Sequence, residues 1–415
     1  MTDTDRPRPI AWLVLVVLFI VYTLNFLDRS LVYILFKPIK AEFAFTDLQL
    51  ALLGSTAFVL FYTTLGVPFG RLADRYRRTW LIAAGLVVWS VASSLTGFAT
   101  TFGGLLACRM IVGVGEATLG PAAYSLLADW FPPRWRGTTA ALFCAGIPLG
   151  GGLAMAAGGA IAQDWGWRAA FPMLGLPGLL VAAVVMMLPE PERGAAKGSV
   201  AEAGEPFGVV LRASVTPWLH TFGYATFAIA ASAWSIWVPS YIAARWSLEL
   251  KDVGLMFGLC TVVGGLIGTT LGGVTADLLQ RRFLGGRMAF GAIVALLSAF
   301  AWLGLLTAET PNVAYIAVTF GMAFGLAWLG PASADVQDLV APEHRGVAIS
   351  SYYLVVNLLS YGLGAPMLGA LNDVVPKGST GLVACPIVCL VAAGLLVAGS
   401  YSRAPAAAVA SPLAA

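Results

Sequence analysis

Charge is what this chain has least of. Only 11% of its 415 residues are charged while 59% are hydrophobic, where a soluble globular chain carries about a quarter charged residues. No water-soluble fold hides that much apolar surface. Histidine is almost missing, at two residues, and the five cysteines (Cys108, Cys144, Cys260, Cys385, Cys389) all fall in apolar blocks with no histidine at a metal-ligand spacing. Neither a structural zinc nor a disulfide framework is implied. There is no Walker loop, which argues against nucleotide-driven work. Gly113-x-Gly115 copies part of a dinucleotide fingerprint, but it lies in an apolar helix with no preceding strand. The alternating ten-residue segments of a β-barrel are absent as well. No metal, cofactor, catalytic residue set or nucleic-acid partner is therefore expected, and the chain does not read as an enzyme.

What is present is a series of apolar blocks, each long enough for the roughly 20 residues that cross a bilayer as a helix. They run at about 10–36, 48–69, 80–99, 102–127, 138–162, 170–188, 213–243, 253–275, 289–307, 311–334, 346–371 and 380–402. Every backbone polar group in lipid must pair within its own segment, so twelve such blocks predict an all-α integral membrane protein. The first block exceeds a signal-peptide core and holds Asp28 and Arg29, so it reads as a retained helix. Alternate loops gather sixteen of the 24 lysines and arginines, and the opposite loops six. By the positive-inside rule both termini and the central linker face the cytoplasm of a cell (inner) membrane.

Two motifs recur in the same order. Gly70 to Arg78 reads GRLADRYRR and Asp129 to Gly137 reads DWFPPRWRG; Gly273 to Arg282 reads GVTADLLQRR and Asp338 to Gly346 reads DLVAPEHRG. Two parallel six-helix halves follow, 1–188 and 213–415, joined by a charged, Gly/Ala/Pro-containing linker at 189–212.

GRLADRYRR and its degenerate twin resemble the signature of the major facilitator superfamily. Asn25-x-x-Asp28-Arg29, Arg109-x-x-x-Gly113-x-Gly115-Glu116-Ala117 and Trp165-Gly166-Trp167-Arg168-Ala169-Ala170-Phe171 look most like its spinster branch. The resemblance implies two pseudo-symmetric bundles and a proton-linked carrier of lysophospholipids or sphingosine phosphate.

An ionisable group at membrane depth costs at least about 2.5 kcal/mol on insertion scales. Asp28, Arg29, Arg109 and Glu116 meet that description, all in the first half, and no comparable mid-span charge is expected in the second. Asn25 lies one turn from Asp28 on the same face. Arg109 and Glu116 are seven residues apart, roughly 10 Å along a helix, so each needs a partner on another helix. Asp28 is expected to be the main protonation site, Glu116 a second acid, and Arg29 and Arg109 the charges that bias them. The bland alternative is a fixed ion cluster. Substrate contacts are expected at Asn25, Arg29, Arg109 and Glu116, with Trp234, Trp328, Tyr353 and Asn357 as an aromatic and polar wall. Gly70, Asp74, Arg75 and Arg78 read as a cytoplasmic gate, or simply as topology signals. Asp277 is their twin, weakened by the lack of an arginine directly after it. Gly264, Gly268 and Gly272, and Gly146, Gly150, Ala154 and Gly158, predict close helix contacts. His220 reads as a helix-end residue.

The expected function is proton-coupled secondary transport, by alternating access, of an anionic amphipathic substrate drawn from or near membrane lipid, by a monomer. A proton symporter of small organic anions or sugar acids is the runner-up, and a non-transporting receptor or scaffold the rival from another class.

Overall fold

The computed structural model describes residues 7–191, 215–339, 345–375 and 380–402. Most of the expected linker, together with His344 and Lys377, lies outside them. Among the described residues eleven helices are long and apolar enough to cross a membrane, and a twelfth does so as a bent pair. In chain order they are α1 (Pro9–Ile34), α2 (Asp47–Gly66, helical on to Arg75), α3 (Arg78–Thr96), α4 (Phe102–Trp130), α5 (Arg136–Trp165), α6 (Trp167–Met187), α7 (Thr216–Ile236 and Val238–Arg245), α8 (Leu250–Arg282), α9 (Gly286–Leu306), α10 (Pro311–Asp338), α11 (Ala348–Val374) and α12 (Gly381–Tyr401). They form the two six-helix bundles of an all-α membrane protein.

Local chemistry sets where these helices start and bend. Thr46 and Gln49 form a capping box at the start of α2, which satisfies two backbone N–H groups that a helix end leaves open. Gly166 turns the chain from α5 into α6 at φ 84°, a conformation that side chains resist. The α7 block, expected as one span at 213–243, crosses as one span that breaks by 47° at Trp237. Pro239 follows the break and supplies no N–H to the ladder. Interruptions recur at matching places in the halves: α4 interrupts after Glu116, ahead of Pro121, and α10 interrupts at Trp328, ahead of Pro331.

The small-residue stripes lie where the sequence puts close contacts. At Gly268 an added Cβ would stand 2.0 Å from the carbonyl oxygen of Ala323 on α10, and at Gly150 2.2 Å from that of Thr23 on α1. A second glycine contact joins the halves. Gly152 of α5 and Gly258 of α8 face each other so closely that a Cβ on either would stand within 2.7 Å of the other's carbonyl oxygen. Without hydrophobic drive between helices in lipid, such close backbone approach is a main source of attraction.

The end of the molecule carrying the starts of α1 and α7 is called the base, and the opposite end the top. Hydrogen bonds between described residues of the two halves occur at the top and middle. Asp373 at the end of α11 accepts from the amides of Asp47 and Leu48 at 2.8 and 3.0 Å, capping α2 from the other half. Gln163 accepts from the amide of Leu250 at 3.3 Å. Midway, wide π-helical turns at Leu52–Thr56 of α2 and Leu358–Gly364 of α11 touch, and the Thr56 hydroxyl donates to Gly362 O at 3.1 Å.

Candidate functional site

The four mid-span charges converge. Arg29 on α1 donates to Glu116 on α4, Nη2 to Oε2 at 2.8 Å and Nε at 3.3 Å. The Glu116 side chain is fully buried, whereas that of Arg29 keeps 15% of its surface exposed. Glu116 Oε1 and Asn25 Nδ2 are buried with no hydrogen-bond partner. Asp28, one residue from Arg29 and so on another face of α1, accepts the Ser93 hydroxyl of α3 at 2.7 Å. Arg109 is buried and donates only to backbone, to Asp28 O at 3.4 Å, Arg29 O at 3.4 Å and Gly54 O at 3.3 Å. The last of these carbonyls belongs to the wide turn of α2, where looser winding leaves acceptors available.

As expected from their spacing, Arg109 and Glu116 find partners on other helices rather than each other. Gly113 and Gly115 serve packing here. A Cβ at Gly113 would meet Phe58 O of α2 at 2.5 Å, and at Gly115 the backbone of α3 at 2.8 Å. With both acids ionised the cluster sums to zero charge, two guanidinium groups against two carboxylates.

An aromatic wall surrounds the exposed edge of Arg29. The rings of Phe58, Phe26 and Tyr62 lie 4.5, 4.7 and 4.7 Å from the guanidinium carbon, at cation–π distance. Tyr22 stacks on Phe143, and the Tyr124 hydroxyl meets Cys144 Sγ at 3.2 Å. These first-half rings escaped the sequence reading. Their one available signal was the i, i+4, i+7 spacing of Tyr22, Phe26 and Arg29 on a single face of α1.

The second-half wall is corrected in part. Trp234 is fully buried, stacked on Trp302 at 3.9 Å and seated over Gly321, so it packs α7 against α9 and α10 and lines no cleft. Trp328 is likewise buried, stacked on Tyr224 and bonded to Gly325 O of its own helix. Tyr353 and Asn357 remain partly exposed on α11, and Tyr353 bonds Ser333 at 2.5 Å. The second half does hold a buried ionisable pair that the sequence reading did not single out, away from mid-span. Asp335 of α10 and His220 of α7 are both fully buried, 3.7 Å apart, with the Tyr224 and Tyr352 rings beside the imidazole. They sit near the base rather than at mid-height.

The gate residues divide. Asp74 and Arg75 are exposed at the end of the α2 helix, whereas Arg78 is buried. It binds Asp129 at 2.5 Å and Glu190 at 2.8 Å, and the Glu190 carboxylate also caps α3 through the amides of Arg78 and Thr79. Burial pushes the Glu190 carboxyl up, but these hydrogen bonds and the Arg78 charge hold it below the usual range. Gly70 gives no close helix approach, since a Cβ there would meet only Pro121 Cβ at 3.9 Å. Asp277 is not short of an arginine: Arg287 binds it at 2.9 Å and also Asp338. Arg287 stands 209 residues after Arg78, the same step that separates Asp129 from Asp338. The Trp167-Arg168 motif ties the top of the first half, with Trp167 Nε1 and Arg168 Nη2 both on Glu42 and Arg168 Nη1 on Ala99 O.

Residues 18–365 match the family model described as Major Facilitator Superfamily. The chain belongs to that superfamily of transporters. Among similar proteins, an MFS-type efflux pump of Mycolicibacterium smegmatis is 28% identical over 375 residues, 89% of this chain and 86% of that protein. Protein spinster of Drosophila melanogaster is 28% identical over 386 residues, 88% of this chain and 62% of that protein, so the superfamily member described here spans less than two thirds of that relative's length. Among solved structures, a bacterial homolog of the human lysosomal transporter spinster, in an inward-facing and unoccupied conformation, superposes with a TM-score of 0.85 at 24% identity, covering 97% of this chain and all of that one. The spinster resemblance read from Asn25, Asp28, Arg29 and Glu116 agrees with these matches, and a transporter rather than an enzyme is the class they give.

Proposed function

We propose that this transporter moves an amphipathic organic anion, of the lysophospholipid or sphingosine-phosphate type, together with a proton by alternating access. The observation that carries the reading is the Arg29–Glu116 pair, buried on the acid side and open on the arginine side. An incoming anionic head competes with Glu116 for the guanidinium. A carboxylate displaced in a buried site costs several kcal/mol unless its charge is offset, and a proton on Oε1, which has no donor, offsets it. Asp28, held by Ser93 next to the carbonyl that Arg109 grips, supplies the second proton position. Two positive and two negative groups thus give a cluster that binds an anion readily only when it is also protonated. The rings of Phe26, Phe58 and Tyr62 favour a substrate with an apolar body behind its charged head.

The bonds between the halves at the top, where Asp373 caps α2 and Gln163 accepts from Leu250, support a state closed at the top and so open towards the base. With both termini in the cytoplasm that state faces inward. The glycine crossing of α5 and α8 is the pivot about which the halves rock.

Flux into proteoliposomes under imposed pH gradients tests the coupling, with a radiolabelled lysophospholipid and a small carboxylate as competing probes. Wild type is expected to follow the gradient and to prefer the lysophospholipid, whereas Asp28→Asn and Glu116→Gln retain exchange but lose acceleration. If Asp28→Asn still follows the gradient, its coupling role is wrong. Transport of the small carboxylate alone would favour the organic-anion symporter.

A further inference from the structure

The top of the molecule contains a second chamber that the Arg29 cluster does not use. The short helix Phe36–Phe43, which continues α1, lies opposite the broken end of α7 and the turn from α11 to α12, and they flank a half-open cavity of about 410 Å³. That volume lies in the range of roughly 300–1,000 Å³ typical of small-molecule sites. Its walls come from both halves: Lys37 and Lys40 from the first, Trp237, Ser240, Tyr241 and Asn372 from the second. Lys37 lies eight residues beyond Arg29, roughly 12 Å along a helical path, so the chambers are distinct.

The polar groups of this wall point to one kind of ligand. Lys40 is held by Asp47, the acid of the cavity wall, whereas Lys37 is exposed and has no ion pair among the described residues. Trp237 Nε1 and Ser240 Oγ are buried with no hydrogen-bond partner, although Trp237 is only 4% exposed. An indole N–H can only donate, and a buried donor left unmade is costly, by about 1–3 kcal/mol. A free ammonium, an unmet N–H and a hydroxyl together suit an anion. The Trp237 and Phe36 rings, 5.6 Å apart, and Tyr241 suit a compact apolar body behind it.

We propose that this chamber is a binding site for a compact organic monoanion, such as a carboxylate, sulfonate or phosphate ester on a ring or short chain. Lys37 takes the charge, Trp237 and Ser240 donate to it, and the rings hold the body. Because its walls belong to different halves, the site is complete only while the top is closed. Occupancy therefore holds the top shut. The binding claim is independent of proton coupling and of the carrier's own substrate.

Calorimetric titration of the full chain in phosphatidylcholine nanodiscs with naphthalene-2-sulfonate tests it, with neutral 2-naphthol as the control. Lys37→Gln is expected to weaken sulfonate binding by roughly tenfold and Trp237→Phe by roughly fivefold, the scale of a charged and a neutral hydrogen bond. Because the central site also takes amphipathic anions, the titration is repeated in an Arg29→Gln background, where the component that depends on Lys37 should persist with unchanged affinity, and 2-naphthol should respond to neither Lys37→Gln nor Arg29→Gln. Equal affinity in Lys37→Gln and wild type, or loss of binding in Arg29→Gln alone, would overturn the site. Adding phosphatidylglycerol to the nanodiscs separates the sources of the anion. Competition that Lys37→Gln removes identifies a lipid headgroup, and unchanged sulfonate affinity identifies a soluble anion.

Discussion

At mid-height the first half holds Arg29, Glu116, Asp28 and Arg109, while the second half holds Trp234 stacked on Trp302 over Gly321. The repeat sharpens the contrast. In the shared Leu-Gly-Pro-Ala stretch (Leu119 to Ala122, Leu329 to Ala332), the residue three before leucine is Glu116 in one half and Leu326 in the other. At the base the halves agree instead, each with an arginine at the start of its third helix gripping an aspartate at the end of its fourth. What the repeats share is scaffold; where they part, one has become ionic and the other a rigid apolar wall.

The base clamps offer the most forceful way to break this comparison. Arg78→Ala strands Asp129 and Glu190 in a site where the arginine is only 2% exposed, and losing one partner of a buried pair costs about 3–5 kcal/mol. Arg287→Ala should cost at most about 1 kcal/mol, because Asp277 and Asp338 are 57% and 46% exposed. Thermal unfolding in detergent compares them, and equal losses would mean that the clamps are truly equivalent. Next in size, Trp234→Ala should destabilise the protein by about 3 kcal/mol through lost packing while leaving substrate affinity intact. A specific loss of affinity at unchanged stability would return Trp234 to the substrate wall.

The seam between the halves gives a smaller effect. Thr56→Val removes one neutral hydrogen bond to α11, worth about 1 kcal/mol, and should move the population toward the top-open form. Pulsed dipolar spectroscopy between labels on the short helix Phe36–Phe43 and the α11–α12 turn reads that population; no shift would mean that the wide turns touch without holding. The smallest effect belongs to Glu42, whose carboxyl is kept below its usual range by hydrogen bonds from Arg168 and Trp167. A depressed carboxyl stabilises the fold fully above its unfolded value, about 4.3, and the contribution fades as pH falls through the folded value. The melting difference between wild type and Glu42→Gln should therefore shrink on acidification, and a difference that grows would contradict the assigned sign.

The spans, the glycine stripes and the mid-span ions were legible because each depends on composition or on spacing within one helix. Partners on other helices were not. Arg287 was hidden because six extra residues separate it from Asp277, compared with Arg78 and Asp74, which shifts the register of the repeat. Asp335 was missed because Gln337 and Asp338 follow it closely and made the end of α10 look like a solvated loop. Trp234 and Trp328 were assigned to a substrate wall by residue type, although an aromatic at helical spacing packs its own bundle just as readily. Nothing in the sequence fixes how far a helix turns about its axis, and that rotation decides which rings reach Arg29.

The wide turns of α2 and α11 meet at one depth, each wound more loosely than the helix around it. Such a turn holds about one residue more than the α-helical path needs, so dropping a single residue from either would close the coil to regular winding and leave the helix beyond it in register. For α2 that closure would withdraw the Gly54 carbonyl from Arg109 and the Thr56 hydroxyl from Gly362 together. A one-residue deletion that most surface loops absorb unnoticed would here silence the carrier without unfolding it.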